Sequence, residues 1–251
     1  MINVKNFETI YDENTLSIFS DASMYSGNYL GYSVGCAGVE MATSATRTDV
    51  LTNAYPTGYI PNYVVTVDTS NNNSELLALR QAILFAIANK HRFQTINIYS
   101  DSLLSVNSIN QWSEGWFYKA LKENTDWIFK NSSGSAVANQ QVIKNIIVLI
   151  YFNDLRVNIY HQRGHCVGNL SLVKRDFARF NGIPKRYISD RFIKEISDLN
   201  DLVDRRSRDI MRTFVKTGYA PYIVNNTLIP GIEYDVSKIN YKYFKGLIGR
   251  N

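Results

Sequence analysis

The chain has 251 residues, 45% of them hydrophobic and 20% charged, with a formal net charge of +5. That apolar share excludes wholesale disorder, and the length favours one large domain with additions over two full-sized ones. The charge is uneven: residues 1–162 carry 10 Lys/Arg against 13 Asp/Glu, residues 163–216 carry 13 against 7, and residues 217–251 carry 4 against 2. A basic last third beside an acidic first part suits a nucleic-acid partner, although charge alone does not prove one.

In chain order, Leu16–Ser20 (LSIFS) is a short apolar strand candidate that ends in Asp21. Tyr29–Glu40 and Tyr63–Asp68 are strand-like in their aromatic and β-branched residues, and the Thr-, Ala- and Pro-rich stretch 41–62 reads as a long loop or irregular hairpin. Asn71–Ser74 is a turn and N-cap signal; after it Leu76, Leu79, Ile83 and Ile87 recur at helical spacing, which predicts a helix over 74–90. Thr95–Ser100 is a second strand ending in an aspartate, Asp101, with a helix expected from Ser102 through Leu104, Val106 and Ile109. Val137–Phe152 reads as a helix and Leu155–Tyr160 as a strand. The basic segment 161–196, broken by Gly164, Gly168, Gly182 and Pro184, suggests loops and short helices. Ser197–Lys216 is a long helix with Leu199, Leu202, Val203, Ile210 and Phe214 on its apolar stripe. Strands first, then strands alternating with helices, argue an α/β domain around a mixed sheet.

Cys36 and Cys166 lie far apart and form no CxxC pair of the kind that holds zinc, so they read as reduced thiols. The longest greasy run, Val142–Phe152, is shorter than the ~18 residues of a spanning helix. With no charged-then-apolar pattern at residues 1–14, the expectation is a soluble cytoplasmic protein with no membrane partner.

Chemistry concentrates in the acids. Two strands each end in a carboxylate, Asp21 and Asp101, and Glu75 opens the helix between them in sequence. Strand ends and helix starts are where an α/β sheet builds its sites. Carboxylates gathered there repel each other unless a cation neutralises them, and hard oxygen ligands suit Mg²⁺ or Mn²⁺ over zinc. Read singly, each acid is equally an ordinary cap or a solvated charge.

Together the segments LSIFSDAS, NNNSELLALRQAI and INIYSDSLLSVNSINQW resemble, in order and context, the motifs of the type 1 ribonuclease H family. Asp21, Glu75 and Asp101 fall on its aspartate, glutamate and aspartate positions. Gln111-Trp112 and Trp116 resemble the helix that forms the family's substrate-contacting handle, Gly164-His165 its flexible Gly-His loop, and Asn200–Asp204 its Asn-x-x-x-Asp signature. The resemblance spans roughly 14–215. It implies a ribonuclease H-like mixed five-stranded sheet flanked by helices. A catalytic domain would span 1–216 with a basic insertion at about 166–198 before the last helix, and 217–251 would be a C-terminal extension of unknown role.

The resemblance further implies an endonuclease that hydrolyses the RNA strand of RNA/DNA hybrids with two Mg²⁺ or Mn²⁺ ions. Asp21, Glu75, Asp101 and Asp204 would be the metal ligands, with Asp21 bridging, and His165 would assist proton transfer or product release. Two ions about 3.5–4 Å apart can activate water and stabilise both attacking and leaving oxygens. Asn71 and Asn72 would read 2′-hydroxyls in the shallow groove of the hybrid, and Trp112 and Trp116 would form the handle. Asp176 is the alternative fourth carboxylate, since its spacing after Gly164-His165 is nearer the family's usual one; Asp204 has the better local signature and helix stripe.

Arg163, Lys174, Arg175, Arg205, Arg206 and Arg208 are candidate phosphate contacts. Ala22 and Leu103 depart from the family pattern; Leu103 stands where many members carry a polar groove-contacting residue. The competing readings are a metal-dependent DNA nuclease or junction resolvase, and a non-catalytic nucleic-acid-binding module. A nucleotide enzyme with a phosphate-cradling glycine loop is excluded, because neither glycine motif follows a strand.

Overall fold

The computed structural model describes residues 6–29, 32–42, 63–67, 69–123, 127–164, 168–220, 223–225 and 236–248. Strands β1 (Thr15–Tyr29), β2 (Tyr32–Ala42) and β3 (Tyr63–Val67) form an antiparallel run, and β4 (Thr95–Ser100) and β5 (Asn158–His161) add in parallel beside β1. This is the expected mixed five-stranded sheet. A sixth strand not foreseen from sequence, β6 (Ile223–Asn225), extends it, so the order is β5-β4-β1-β2-β3-β6. β6 pairs in parallel with β3 and is three residues long, too short to leave a periodic signature.

The helices are α1 (Asn71–Asn89), α2 (Leu103–Asn107), α3 (Ser113–Glu123), α4 (Gln140–Phe152), α5 (Leu170–Asn181), α6 (Asp190–Thr217) and α7 (Tyr241–Leu247). One turn of π-helix, Ser108–Trp112, joins α2 to α3. Alternation along the strands divides the core in two. Leu16, Ile18, Ile96, Ile98 and Ile159 face α1, α4 and α7 through Leu79, Ile83, Ile143, Ile147 and Phe244. On the opposite face Phe19, Tyr99 and Tyr160 line up across three parallel strands, with ring centroids 4.8 and 5.5 Å apart. Phe177 of α5 and Phe192 of α6 close over this row.

Several boundaries differ from the sequence reading. β1 does not end at Ser20: its pairing with β4 stops there, but its pairing with β2 continues from Asp21 opposite Gly38 to Tyr29 opposite Tyr32. Asp21 therefore lies inside a strand. α1 starts earlier than expected because Ser70, whose side chain accepts the Asn73 N–H, is the N-cap; Asn71–Ser74 are its first turn. α6 begins at Asp190 and not at Ser197, capped by Ser189, so the last part of the segment 166–198 belongs to that helix and does not precede it. Within the same segment α5 is a regular helix ended by Gly182 in the left-handed region.

The described part of the C-terminal segment is tied into the first core. Val236, Ile239, Tyr241, Phe244, Leu247 and Ile248 are buried there, and Ser113 and Tyr241 share a buried hydroxyl hydrogen bond of 2.6 Å. Cys36 is buried and free, and Cys166 lies outside the described residues. Among the described residues no helix is long and apolar enough to cross a membrane.

One close approach governs how α1 meets the sheet. A Cβ on Gly35 of β2 would fall 2.1 Å from Ser74 Oγ and 3.0 Å from Thr69 Cγ2. Gly35→Ala is therefore expected to destabilise the protein by about 1–3 kcal/mol through overpacking, read as a fall in melting temperature.

Candidate active site

Strand register brings two of the acids together. Ser20 opposite Ser100 is the last pair between parallel β1 and β4, and the next residue on each chain is an aspartate. Asp21 and Asp101 therefore emerge side by side at the carboxyl end of the β1–β4 ladder. Glu75 arrives from the first turns of α1, whose seating beside Gly35 puts it over the same point. One carboxylate oxygen of each residue lies within 4.8 Å of the others. Asp21 and Glu75 are only 3% and 8% exposed, so their charges meet little solvent.

Burial chiefly, then the charge of Asp101, raises the Asp21 carboxyl to about 8; Asp204 adds to the rise, and the Ala22 N–H and Arg208 oppose it. Glu75 is raised for the same reasons, burial first and then Asp21, Asp101 and Asp204. Its Oε2 is buried with no hydrogen-bond partner in the protein. An all-oxygen donor set, mutual repulsion and an unpartnered carboxylate oxygen fit a hard divalent cation. Asp21, Glu75 and Asp101 are the residues that would hold it.

Asp204 enters from α6. Residues 19, 21 and 23 of β1 share the face that α6 covers, and Ser23 Oγ lies 2.9 Å from Ser207 Oγ. Asp204 sits one turn before Ser207, forms an ion pair with Arg208, and its charge reaches Asp21 and Glu75. A second tie holds the helix: buried Glu40 accepts from Tyr63 at 2.8 Å and pairs with Arg206 at 2.8 Å. Asp176 is engaged differently. It pairs with Arg163 Nη1 at 2.6 Å and Arg175 Nε at 3.1 Å, and the Arg163 bond above all holds its carboxyl below the usual range.

The other sequence candidates fall as follows. Asn71 and Asn72 are exposed in the first turn of α1, four and three residues before Glu75 and so on its side of the helix. Trp112 is 42% exposed on the π turn, with its ring 6.0 Å from that of Trp116, which is half-buried and stacks towards Phe129. His165 lies outside the described residues.

Two neighbours were not foreseen in these roles. Gly164 lies so close to Asp101 that a Cβ would fall 2.2 Å from its Oδ2. His161 Nε2 lies 3.1 Å from the Asp101 carbonyl oxygen, and burial keeps the imidazole below its ordinary range. Both follow from His161 standing opposite Ser100 in the β4–β5 register, a pairing that no local pattern encodes.

The fold and site thus define an α/β protein with a cation-competent carboxylate cluster where the parallel pairing of its central strands ends. The chain belongs to the RNase H family, whose model matches residues 13–173. That span contains Asp21, Glu75, Asp101 and the Gly-His loop and stops short of both Asp176 and Asp204. Over 99 residues the chain is 35% identical to a ribonuclease H of Syntrophomonas wolfei, covering 39% of this chain and 59% of that relative. The chain therefore spans less than two thirds of that relative's length. Among solved structures it is similar to a foamy viral protease-reverse transcriptase in complex with RNA/DNA hybrid (TM-score 0.44, 13% identity, 67% of this chain and 20% of that chain). It is also similar to LC9-RNase H1, a type 1 RNase H with the type 2 active-site motif (TM-score 0.40, 19% identity, 78% and 87% covered). The assignment of the fold rests on the strand order and the family match.

The raised Asp21 carboxyl has a sign that can be checked. Its folded value of about 8 exceeds the ordinary 3.8, so the metal-free fold is penalised once the unfolded chain ionises. Stability in chelator is expected to fall as pH rises from about 4 to 8, and Mg²⁺ or Mn²⁺ to restore it. Asp21→Asn in chelator should melt higher than the unsubstituted protein by about 1–2 kcal/mol, or roughly 2–8 °C, and lose the cation-dependent rise. Thermal melts with EDTA, Mg²⁺ and Mn²⁺ across that pH range test both statements.

Proposed function

We propose that this protein hydrolyses the RNA strand of RNA/DNA hybrids, with Asp21, Glu75, Asp101 and Asp204 as ligands of two divalent cations, Mg²⁺ or Mn²⁺. The observation that carries the reading is the convergence of carboxylates from β1, α1 and β4 within 4.8 Å, in a chain that belongs to the RNase H family. The named relative, a ribonuclease H, supports the reaction class. Bound cations would supply charge neutralisation at the phosphodiester and a more acidic water.

The chain's own residues have distinct tasks. Asp21 and Asp101, fixed by strand register, and Glu75, fixed by the seating of α1, form the rigid side of the site. Asp204, on α6, forms the side that depends on the Ser23–Ser207 and Glu40–Arg206 ties. Asn71 and Asn72, exposed one turn before Glu75, would meet the edge of a minor groove, where amides both donate to and accept from 2′-hydroxyls. Trp112 offers an exposed ring to the sugar-phosphate, backed by Trp116. His165, the residue after Gly164 in sequence, would shuttle a proton or help release product.

With Mg²⁺ or Mn²⁺ the protein is expected to cut the RNA strand of a labelled hybrid and to spare duplex DNA, duplex RNA and a four-way junction. Equal cleavage of duplex DNA or of the junction would sink the reading. Asp101→Asn should abolish cleavage and leave hybrid binding largely intact, as measured by anisotropy. Asp204→Asn should lower turnover and weaken Mn²⁺ binding far more than Asp176→Asn; the reverse order would transfer the fourth ligand to Asp176.

A further inference from the structure

Beside the carboxylate cluster lies a second charged group whose parts are spread over two elements. Asp176 of α5 is buried, 4% exposed in its side chain, yet it holds two guanidinium groups that are 46% and 56% exposed, those of Arg163 and Arg175. Two cations on one anion leave a local charge of +1 at the surface. Among the six basic residues singled out in the sequence, Lys174 is paired with Asp190, Arg206 with Glu40 and Arg208 with Asp204, each on its own carboxylate. Arg205 donates its Nε to the Asp201 carbonyl. Only Arg163 and Arg175 converge on a single carboxylate.

The carboxylate at the centre of the group is buried, and the elements that carry it are tied to the active site. α5 is anchored by Val173 and Phe177 in the second core. At its end, the Asn181 side chain accepts from the His161 N–H at 2.9 Å and donates to the His161 carbonyl at 2.6 Å, as a neighbouring strand would at this sheet edge. His161 also holds the Asp101 carbonyl, and Gly164 touches the Asp101 carboxylate. Arg163 lies between these two residues in sequence, and the charges of Arg163 and Asp176 both reach the His161 imidazole, which sets the group beside the Asp101 end of β4.

We infer that Arg163 and Arg175, held in place by Asp176, form a receptor for a backbone phosphate of the nucleic acid next to the position that is cut. A guanidinium presents several N–H donors in a planar fork matched to phosphate oxygens, and anchoring one edge on a buried carboxylate removes much of the ordering cost on binding. The contact reads charge and spacing, not sequence. The inference deepens the proposed function and rests on it for the identity of the ligand. It also gives Asp176 a task as a positioning residue.

The test is binding in EDTA, where no cleavage occurs, using a fluorescent RNA/DNA hybrid, duplex DNA and duplex RNA across a salt series. The proteins compared are the full chain and its variants Arg163→Gln, Arg175→Gln, both together, and Asp176→Asn. Arg92→Gln, an exposed arginine just before the amino end of β4, is the control. Each single arginine variant is expected to bind the hybrid about three- to tenfold more weakly. Each should also flatten the slope of log K against log salt by about 0.7–0.9, with the double variant losing about twice that. Asp176→Asn should weaken binding with a smaller change in slope, since both charges remain but are no longer held.

Unchanged affinity and slope in the two single variants would overturn the inference and leave the group as a tie between β5 and α5. So would a wild-type protein that binds none of the three duplexes. A tie of that kind would move the melting temperature and not the slope, so melts of every variant accompany the titrations. Failure of the hydrolase reading shows separately, as absence of cleavage with Mg²⁺ or Mn²⁺ in a protein whose binding still responds to these variants.

Discussion

The site depends on the in-register parallel pairing of β1 with β4. That ladder ends at Ser20 and Ser100, and it delivers Asp21 and Asp101 next to each other, with Asp21 buried. Like charges so placed are a liability to the fold, and burial adds to the cost by disfavouring the ionised form of Asp21. The elevated Asp21 and Glu75 carboxyls are the expression of that conflict. A hard cation resolves it more completely than any side chain present, because it compensates several carboxylates at once.

The same ladder organises the rest of the molecule. Two residues before the aspartates, Phe19 and Tyr99 stack with Tyr160 on the α6 face of the sheet, and Phe177 and Phe192 cover them. The alternation that buries these rings carries Asp21 and Ser23 to the same face, where Ser207 and Asp204 of α6 meet them. Core packing and site assembly are thus consequences of one register. A slip of one residue would turn the rings to the wrong core and separate the carboxylates.

Opposite charge is distributed by the same economy. Arg208 is paired with Asp204 and Arg206 with the buried Glu40, while Arg163 and Arg175 share Asp176, so each of these cations is held by an acid. The basic last third of the chain is therefore not a uniform cationic surface. Part of that charge ties elements together: Arg206 of α6 to Glu40 of β2, Lys174 of α5 to Asp190 of α6, and Arg163 to Asp176 of α5.

The periodic and terminal signals were legible in the sequence. The helical spacing of Leu76, Leu79 and Ile83, the strand Thr95–Ser100 and the acids Asp21, Glu75 and Asp101 all stood out, because side-chain period and strand-end carboxylates are local patterns. What escaped the sequence is non-local. β1 looked finished at Ser20 because its continuation is stabilised by β2, and α6 looked shorter because its first turns follow directly on the segment broken by Gly182 and Pro184. β6 is too short to show a period. The choice between Asp204 and Asp176 was open in one dimension, where spacing favoured one and the local signature the other. In three dimensions the charge of Asp204, itself paired with Arg208, reaches Asp21 and Glu75, while Asp176 is held by Arg163 and Arg175 and is not among the charges that act on them. The chain thus carries in its order which acids are available and which elements present them. Which acids share one field, and which are spent on arginines, is decided by strand register and helix seating, because electrostatic coupling depends on separation in space and on burial, and neither is a property of sequence distance.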